Sequence, residues 1–454
     1  MKRFCIILIS LLLLAACVPT PTEEAVVNKG EHSIKDTLSA EDAEAYRYEA
    51  PTHWSETIEM KQLKIVIDAD VVLPETDRYP LQTIKRHTFT SNDAISLLNA
   101  CFAGPFELRE NRYSMTEVEE DIRMLLRGNV VDSDEETGEV TWAPWDEEPE
   151  EMAELREQMA QCPAKDTFVP LDPEQLHLRS EPYVVRAGDG TLLYLTLRKN
   201  ALTVSTARNG QVQDETMVWN GGFYGEPWHR TLDNITVSEE TAKKTANAIL
   251  DRAGLSDQFG VGLVEKGRLA RAIVEEPYYE VLSEGLILRV SRNGGGYVPF
   301  PQGGGMYEED QNGALYEQPT EESYAQRWCQ DWMELYVSDS GVGYVGWFDP
   351  NEFVTEANGN VVLMPFDEIR NRIRDDLRFS YAWTDQGNRG ITELHVKRIV
   401  LSCAIERIPD DPDEAALVPA WAVVYSDSRS EKVKLHERIM LINAIDGSYL
   451  HVGS

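Results

Sequence analysis

Of the six cysteines in the sequence, Cys101, Cys162, Cys329 and Cys403 lie well inside the chain, where they could react, bind a metal or pair. Four thiols allow two disulfides in three pairings. No C-x-x-C interval is present, so a zinc site or a thioredoxin-like redox pair lacks its spacing. Cys101 and Cys403 stand on the apolar faces of their segments, which suits buried free thiols, and Cys101 to Cys162 is the bridge to expect if one forms. G-x-S-x-G and H-E-x-x-H do not occur, and the eight histidines are scattered. Gly341-Val342-Gly343-Tyr344-Val345-Gly346 fits the G-x-G-x-x-G formula, but Trp347-Phe348-Asp349-Pro350 follows where a dinucleotide site needs a helix N-terminus. A strand with small residues on one face is expected instead. Asp132, Asp134 and Glu136 begin like a calcium loop, yet Thr137 stands where Gly is needed and Ala143 where Glu is needed, which leaves a solvated acidic turn. Asp68 and Asp70 share one side of a strand and could hold a cation or simply face water. No catalytic, cofactor-binding or metal-ligating residue is assigned from these patterns.

Aromatic residues offer binding chemistry. Tyr324, Trp328, Trp332 and Tyr336 repeat every four residues, which reads as the packed face of a helix from about Thr320 to Tyr336. Trp219, Phe223, Tyr224 and Trp228 gather around Asn220-Gly221-Gly222, where rings in an irregular segment could form a platform for a sugar or peptide.

These residues must be positioned by a mixture of strands and helices. Leu63, Ile65, Ile67, Ala69 and Val71 alternate with polar or half-buried positions, the period of a strand. A helix is expected from Thr90, capped by Asp93 and carrying Ala94, Leu97, Leu98 and Cys101 on one face; a second starts at Ser114 with Glu117 completing a capping box and buries Val118, Ile122, Leu125 and Leu126. Asp132 to Glu154 is an exposed acidic insertion. Asp189-Gly190 and Asn209-Gly210 are hairpin turns between apolar runs. Thr236 with Glu239 opens a further helix whose Ala242, Ala246, Ile249, Leu250 and Ala253 form a stripe ending at Gly254. A last unit begins at Pro365 with Phe366, Ile369, Ile373 and Leu377 on one face, followed by a strand whose phase slips near Arg398, the mark of a bulge. The fold class is therefore α+β and rich in antiparallel sheet. A helix followed by antiparallel strands, near 237 and again near 366, is a loose internal repeat.

The N-terminus reads as an address. Met1-Lys2-Arg3 is a short positive region, Phe4 to Leu14 is apolar, and Leu14-Ala15-Ala16-Cys17 closes in small residues before a cysteine. The apolar part is far shorter than the roughly 20 residues a spanning helix needs, so it is a signal peptide. The last four residues resemble the lipobox of bacterial lipoproteins. That resemblance implies cleavage between Ala16 and Cys17, a diacylglyceryl group on Cys17, and attachment to the outer face of a cell membrane, in a Gram-positive organism; two acyl chains give stable anchoring. Residues 17–55, poor in large apolar side chains, read as a flexible tether.

Leu417-Val418-Pro419-Ala420-Trp421 and the run Ile439 to Tyr449, with Asn443-Ala444 and Asp446-Gly447, resemble the closing sheet of PepSY-like domains and of extracytoplasmic regulators of the YycH and YycI type. The resemblance covers 365–454 and implies a binding or inhibitory module without catalytic residues. Taken whole, the chain resembles Gram-positive lipoproteins of unknown function. The segments expected are a signal peptide (1–16), lipidated cysteine and tether (17–55), an α+β domain with the acidic insertion (56–180), a sheet-rich domain (181–318), a helix with linking strands (319–364) and the PepSY-like domain (365–454). Acidic residues outnumber basic ones 78 to 43, for a net charge of -35, which disfavours nucleic-acid binding. The expected function is a non-enzymatic, membrane-anchored module that binds an envelope protein, with no cofactor; a solute- or glycan-binding lipoprotein and an envelope hydrolase are the alternatives.

Overall fold

The computed structural model describes residues 34–133, 140–214, 232, 234–272, 279–294, 296–300, 328, 330–381, 391–408, 411, 413–428 and 438–450. The chain begins with α1 (Ile34–Leu38), β1 (His53–Glu59), β2 (Lys64–Val72), β3 (Leu81–Arg86), α2 (Ser91–Cys101), β4 (Glu107–Arg109) and α3 (Met115–Leu126). It continues through β5 (Asn129–Ser133), β6 (Val140–Ala143), α4 (Glu150–Gln161), β7 (Phe168–Pro170), β8 (Tyr183–Arg186), β9 (Leu192–Leu197), β10 (Ala201–Ser205) and β11 (Gly210–Asp214). After α5 (Glu239–Ala253) come β12 (Phe259–Ala272), β13 (Tyr279–Arg292), β14 (Trp332–Ser338), β15 (Gly341–Phe348) and β16 (Asn351–Asn358). The last elements are α6 (Phe366–Ser380), β17 (Glu393–Arg407), β18 (Glu414–Asp427), β19 (Arg438–Asn443) and β20 (Tyr449–Leu450). This is an α+β, sheet-rich fold, as the sequence patterns lead one to expect.

Two large sheets organise it. The first has eight strands in the order β1-β2-β17-β18-β19-β20, with β3 pairing the start of β18 and β16 pairing β3. Its β2 and β17 run parallel, Ile65 beside Leu394 and Val71 beside Ile399. Helix α6 covers this sheet with Phe366, Ile369, Ile373 and Leu377, each buried; at about 1.5–3 kcal/mol per side chain, that stripe alone contributes several kcal/mol. The second sheet has ten strands, β11-β12-β13-β14-β15-β10-β9-β8-β4-β7, all antiparallel. Helices α2 and α5 share one core with it. The capping box of Thr90 and Asp93 opens α2, and Gly254, at φ 72°, closes α5 in the left-handed conformation. The bulge expected near Arg398 is present as a register shift between Val396 and Arg398.

Several local expectations are corrected. Residues 34–52 are not a tether. Tyr46 donates to the carbonyl of Val361, Tyr48 donates to that of Met364, and Asn360 Nδ2 donates to the carbonyls of Ala43 and Glu44. The ring of Tyr48 lies 5.8 Å from that of Trp421, so alternating tyrosines dock a segment that composition alone marks as solvated. The sheets also cut across consecutive segments: β1, β2 and β3 complete a sheet with strands from 351–450, while 107–348 build the other. The four-residue aromatic spacing does not make a helix where it is described. Trp332 and Tyr336 lie on strand β14, in which Met333, Leu335 and Val337 enter the helix-covered core and Tyr336 the opposite cluster. Four is a multiple of the strand period as well as close to the helical one. Tyr324 lies outside the described residues.

Smaller corrections have equally local causes. Ser114 caps α3 without a side-chain hydrogen bond, and the Glu117 carboxylate is held at 2.7 Å by Arg109 rather than reaching back to the cap; Val118 is buried in that helix, whereas Leu126 is exposed. Ser238, not Thr236, caps α5 through Thr241 N–H. Asn209 does turn with φ 51°, but β10 and β11 pair with other strands rather than with each other; Asp189-Gly190 joins a true hairpin of β8 and β9.

The sheets meet at a buried ion pair. Arg292, at the end of β13, reaches Asp331 at 2.8 and 2.5 Å, with side-chain exposures of 2% and 0%. The same guanidinium donates to the Gln258 side chain and to the Asn351 carbonyl on β16, and the Cys403 thiol on β17 donates to the Arg292 carbonyl. Asp349, at φ 49°, makes the crossover from β15 to β16. Burial pushes its carboxyl up to about 6, against a hydrogen bond from Asn200.

Replacing Arg292 by Met should lower stability by about 3–5 kcal/mol, because Asp331 is left buried and unpaired. The double replacement R292M/D331L should recover most of that loss; urea midpoints of the three proteins check it. Asp349→Asn tests the crossover. Below the ordinary carboxylate value of about 4 both states hold the proton, and between about 4 and 6 the unfolded chain ionises first, so the wild type loses stability as pH rises. The variant should match wild type below pH 4 and exceed it by on the order of 1–2 kcal/mol above pH 6, since half-burial leaves some screening.

Candidate functional site

The residues nominated by the sequence fall into separate places. Ala16 and Cys17, and the aromatic platform of Trp219, Phe223, Tyr224 and Trp228, lie outside the described residues, as do Asp134, Glu136 and Cys329. Asp132 belongs to the β5–β6 hairpin. Gly341 to Gly346 form β15, and the glycines make room for rings: a Cβ on Gly343 would meet Tyr336 at 3.0 Å and one on Gly346 would meet Phe348 at 2.6 Å. Asp68 and Asp70 do share a face, and between them they hold His53. Its Nδ1 lies 3.1 Å from Asp70 and its Nε2 2.9 Å from Asp68, and these hydrogen bonds, Asp70 first, raise the imidazole pKa. Among the described residues no cluster of His, Cys, Asp or Glu has the arrangement of a metal site.

Cys101, Cys162 and Cys403 are free thiols, so the Cys101 to Cys162 bridge is not made. Burial pushes Cys101 and Cys403 up to about 12, far from a reactive thiolate. Cys162 is half-buried at the end of α4, where its thiol donates to the Gln158 carbonyl.

A concave surface forms where α3 and α4 pack beside one end of the ten-stranded sheet. Its foundation is Arg109 on β4, 7% exposed, which holds Glu117 of α3 at 2.7 Å and Asp166 at 3.5 Å. Arg208, before the β10–β11 turn, pins the same helix by donating to the Glu117 carbonyl and to both Asp121 oxygens at 2.9 and 2.7 Å. Trp145 Nε1 donates to the Leu125 carbonyl at the C-terminal end of α3. The helix pair leaves two adjoining cavities. One, of about 470 Å³, has Met124, Leu125 and Leu155 as its apolar lining and Glu120, Asp121, Glu151 and Glu154 among its acids. The other, of about 490 Å³, is lined by Asn111, Arg112, Tyr113, Glu157 and Gln161. Glu154 and Gln158 line both.

The charges of this groove are unevenly matched. Arg208 is taken by Asp121, Arg271 by Glu280 and Arg112 by Glu181. Glu151, Glu154 and Glu157 lie exposed along α4, and the ion pairs among the described residues leave them out. The chemistry available is recognition of positive charge beside an apolar floor, with no nucleophile brought to a base. The acidic composition of 146–157 was visible in the sequence. What was missing was the knowledge that its α4 face would lie over α3 rather than in open water.

No family model matches the chain, and no curated protein matches it either. Among solved structures, an uncharacterized protein from Eubacterium rectale ATCC 33656 aligns over 92% of this chain and 97% of its own, at 12% identity and a TM-score of 0.43.

Thiol accessibility should follow burial. At pH 8, with Cys5, Cys17 and Cys329 replaced by Ser, Ellman's reagent should modify Cys162 of the native protein faster than Cys101, whose thiol is pushed up to about 12, and Cys403 only after denaturant is added. Fast reaction of all three in the native state would contradict their environments.

Proposed function

We propose that the chain is a lipid-anchored, extracytoplasmic binding module of the cell envelope that works without enzymatic chemistry. The observation that carries the binding role is the groove between α3 and α4. It is open, has Met124, Leu125 and Leu155 in the lining of one cavity, and is edged by Glu151, Glu154 and Glu157, which take no part in ion pairs among the described residues. Concave surfaces that combine apolar and polar lining are where ligands and partners bind. Anchoring rests on the resemblance of Leu14 to Cys17 to a lipobox.

The module reading also draws on the closing sheet. In it Trp421 pairs with Ile442 and Ala420 with Asn443. Asn443 accepts from the Ile445 N–H, and Gly447, at φ 73°, donates to the Asn443 carbonyl. A PepSY-like assignment for residues 365–454 is part of this proposal.

Both halves can be tested in one set of cells carrying a photoreactive benzoylphenylalanine at position 154. The protein should fractionate with membranes, and Cys17→Ala should shift it to the medium or leave it as unprocessed precursor. Irradiation should give an adduct from position 154 and not from position 240 on α5. Retention of the Cys17 variant at wild-type levels would refute the anchor, and no adduct from position 154 would refute the binding role.

A further inference from the structure

We infer that the groove between α3 and α4 takes an extended peptide segment in which Lys or Arg alternates with aliphatic residues. The inference rests on the binding-module reading above and names the chemistry of its ligand. Three observations fix that chemistry. First, the two cavities adjoin at Glu154 and Gln158, and together they provide about 470 and 490 Å³, which suits several consecutive residues rather than one small solute. Second, their polar character is one-sided. The three lining cations, Arg112, Arg208 and Arg271, are each already neutralised by an acid within 2.9 Å. Glu151, Glu154 and Glu157 therefore set the sign of the field, within a chain whose net charge is -35. Third, the cavity beside α3 has an apolar lining of Met124, Leu125 and Leu155, while the adjoining one is mainly polar, so a bare polycation would leave the apolar part uncovered, whereas aliphatic side chains would fill it.

The lip is also built to hold still. Arg109 and Arg208 tie α3 to β4 and to the β10–β11 turn, and Arg156 on the outer side of α4 is bound to Glu148, which keeps it away from the other acids of its helix. A ligand cation would meet carboxylates that need not break an existing ion pair to receive it, which removes one of the usual penalties of charged recognition.

The test uses the mature full-length chain in detergent and a fluorescein-labelled decapeptide of alternating Lys and Leu, read by anisotropy. Wild type should bind it, and raising NaCl from about 50 to 300 mM should weaken binding several-fold. The variant E151Q/E154Q/E157Q, which changes only exposed side chains, should lose about tenfold in affinity and most of the salt dependence. A matched variant, E44Q/E174Q/E240Q, removes the same charge from other surfaces and should bind as wild type. A decapeptide of alternating Lys and Ser, and spermine, should bind at least several-fold more weakly than the Lys–Leu peptide. Equal loss in both triple variants would mean that overall charge draws the probe, and no loss in either would mean that it binds elsewhere; each overturns the inference. Equal binding of spermine or the Lys–Ser peptide would overturn the amphipathic assignment. A light-dependent adduct at position 154 in cells, with probe binding unchanged in E151Q/E154Q/E157Q, would remove the basic-peptide ligand and leave the binding module standing.

Discussion

A guanidinium and a carboxylate, both out of water, sit where the two sheets touch. Withdrawing two such charges from solvent carries a penalty of several kcal/mol each, and their attraction offsets it only if geometry and further hydrogen bonds are nearly complete. Arg292 meets that condition. Asp331 receives both of its arms, and Gln258 and the Asn351 carbonyl take further donors. The same residue contributes its own carbonyl to the Cys403 thiol. Groups from β13, β16 and β17, together with Gln258 and Asp331, are therefore satisfied only when all stand in one arrangement. An apolar seam of similar area would tolerate sliding; this one does not.

A second layer of order comes from the tyrosines. Tyr46 and Tyr48 spend their hydroxyls on carbonyls of 361–364, Tyr79 OH accepts the Tyr48 N–H, and Tyr297 reaches the Pro80 carbonyl. Each ring fills apolar space while its oxygen satisfies a backbone group that would otherwise be buried unpaired. Burial raises the Tyr48 pKa, so these hydroxyls stay donors over any ordinary pH. The result fastens residues 46–48 to residues 361–364.

Much of this architecture was legible residue by residue. The stripe of Phe366, Ile369, Ile373 and Leu377, the box of Thr90 and Asp93, the slip at Arg398 and the left-handed Gly254 all follow from short-range rules and all are present. Readings failed where two rules share a spacing or where a partner lies far away. Tyr336 stands four residues after Trp332 in a strand as readily as in a helix. Glu117 is in the right place for a capping box, yet Arg109 takes it. Asn209 turns the chain, but the strands it joins find other neighbours. The groove was the least legible feature. Its acids were visible, but the apolar floor that gives them a use comes from Met124 and Leu125 on another helix.

The parallel pairing of β2 with β17 sets a schedule as well as a shape. Ile65 lies beside Leu394, more than three hundred residues later in the chain, so β2, made directly after β1, has no neighbour on its far side until nearly the whole polypeptide is present. Loop closure over such a distance is slow compared with hairpin formation. During synthesis the β1–β2 hairpin emerges early with an open, Ile- and Val-rich edge on β2, while the ten-stranded sheet, contiguous in sequence, can assemble first. Synthesis from the N-terminus thus leaves the β1–β2 hairpin waiting for the end of the chain, and the interval between the two is when this protein is most exposed to proteases and to its own copies.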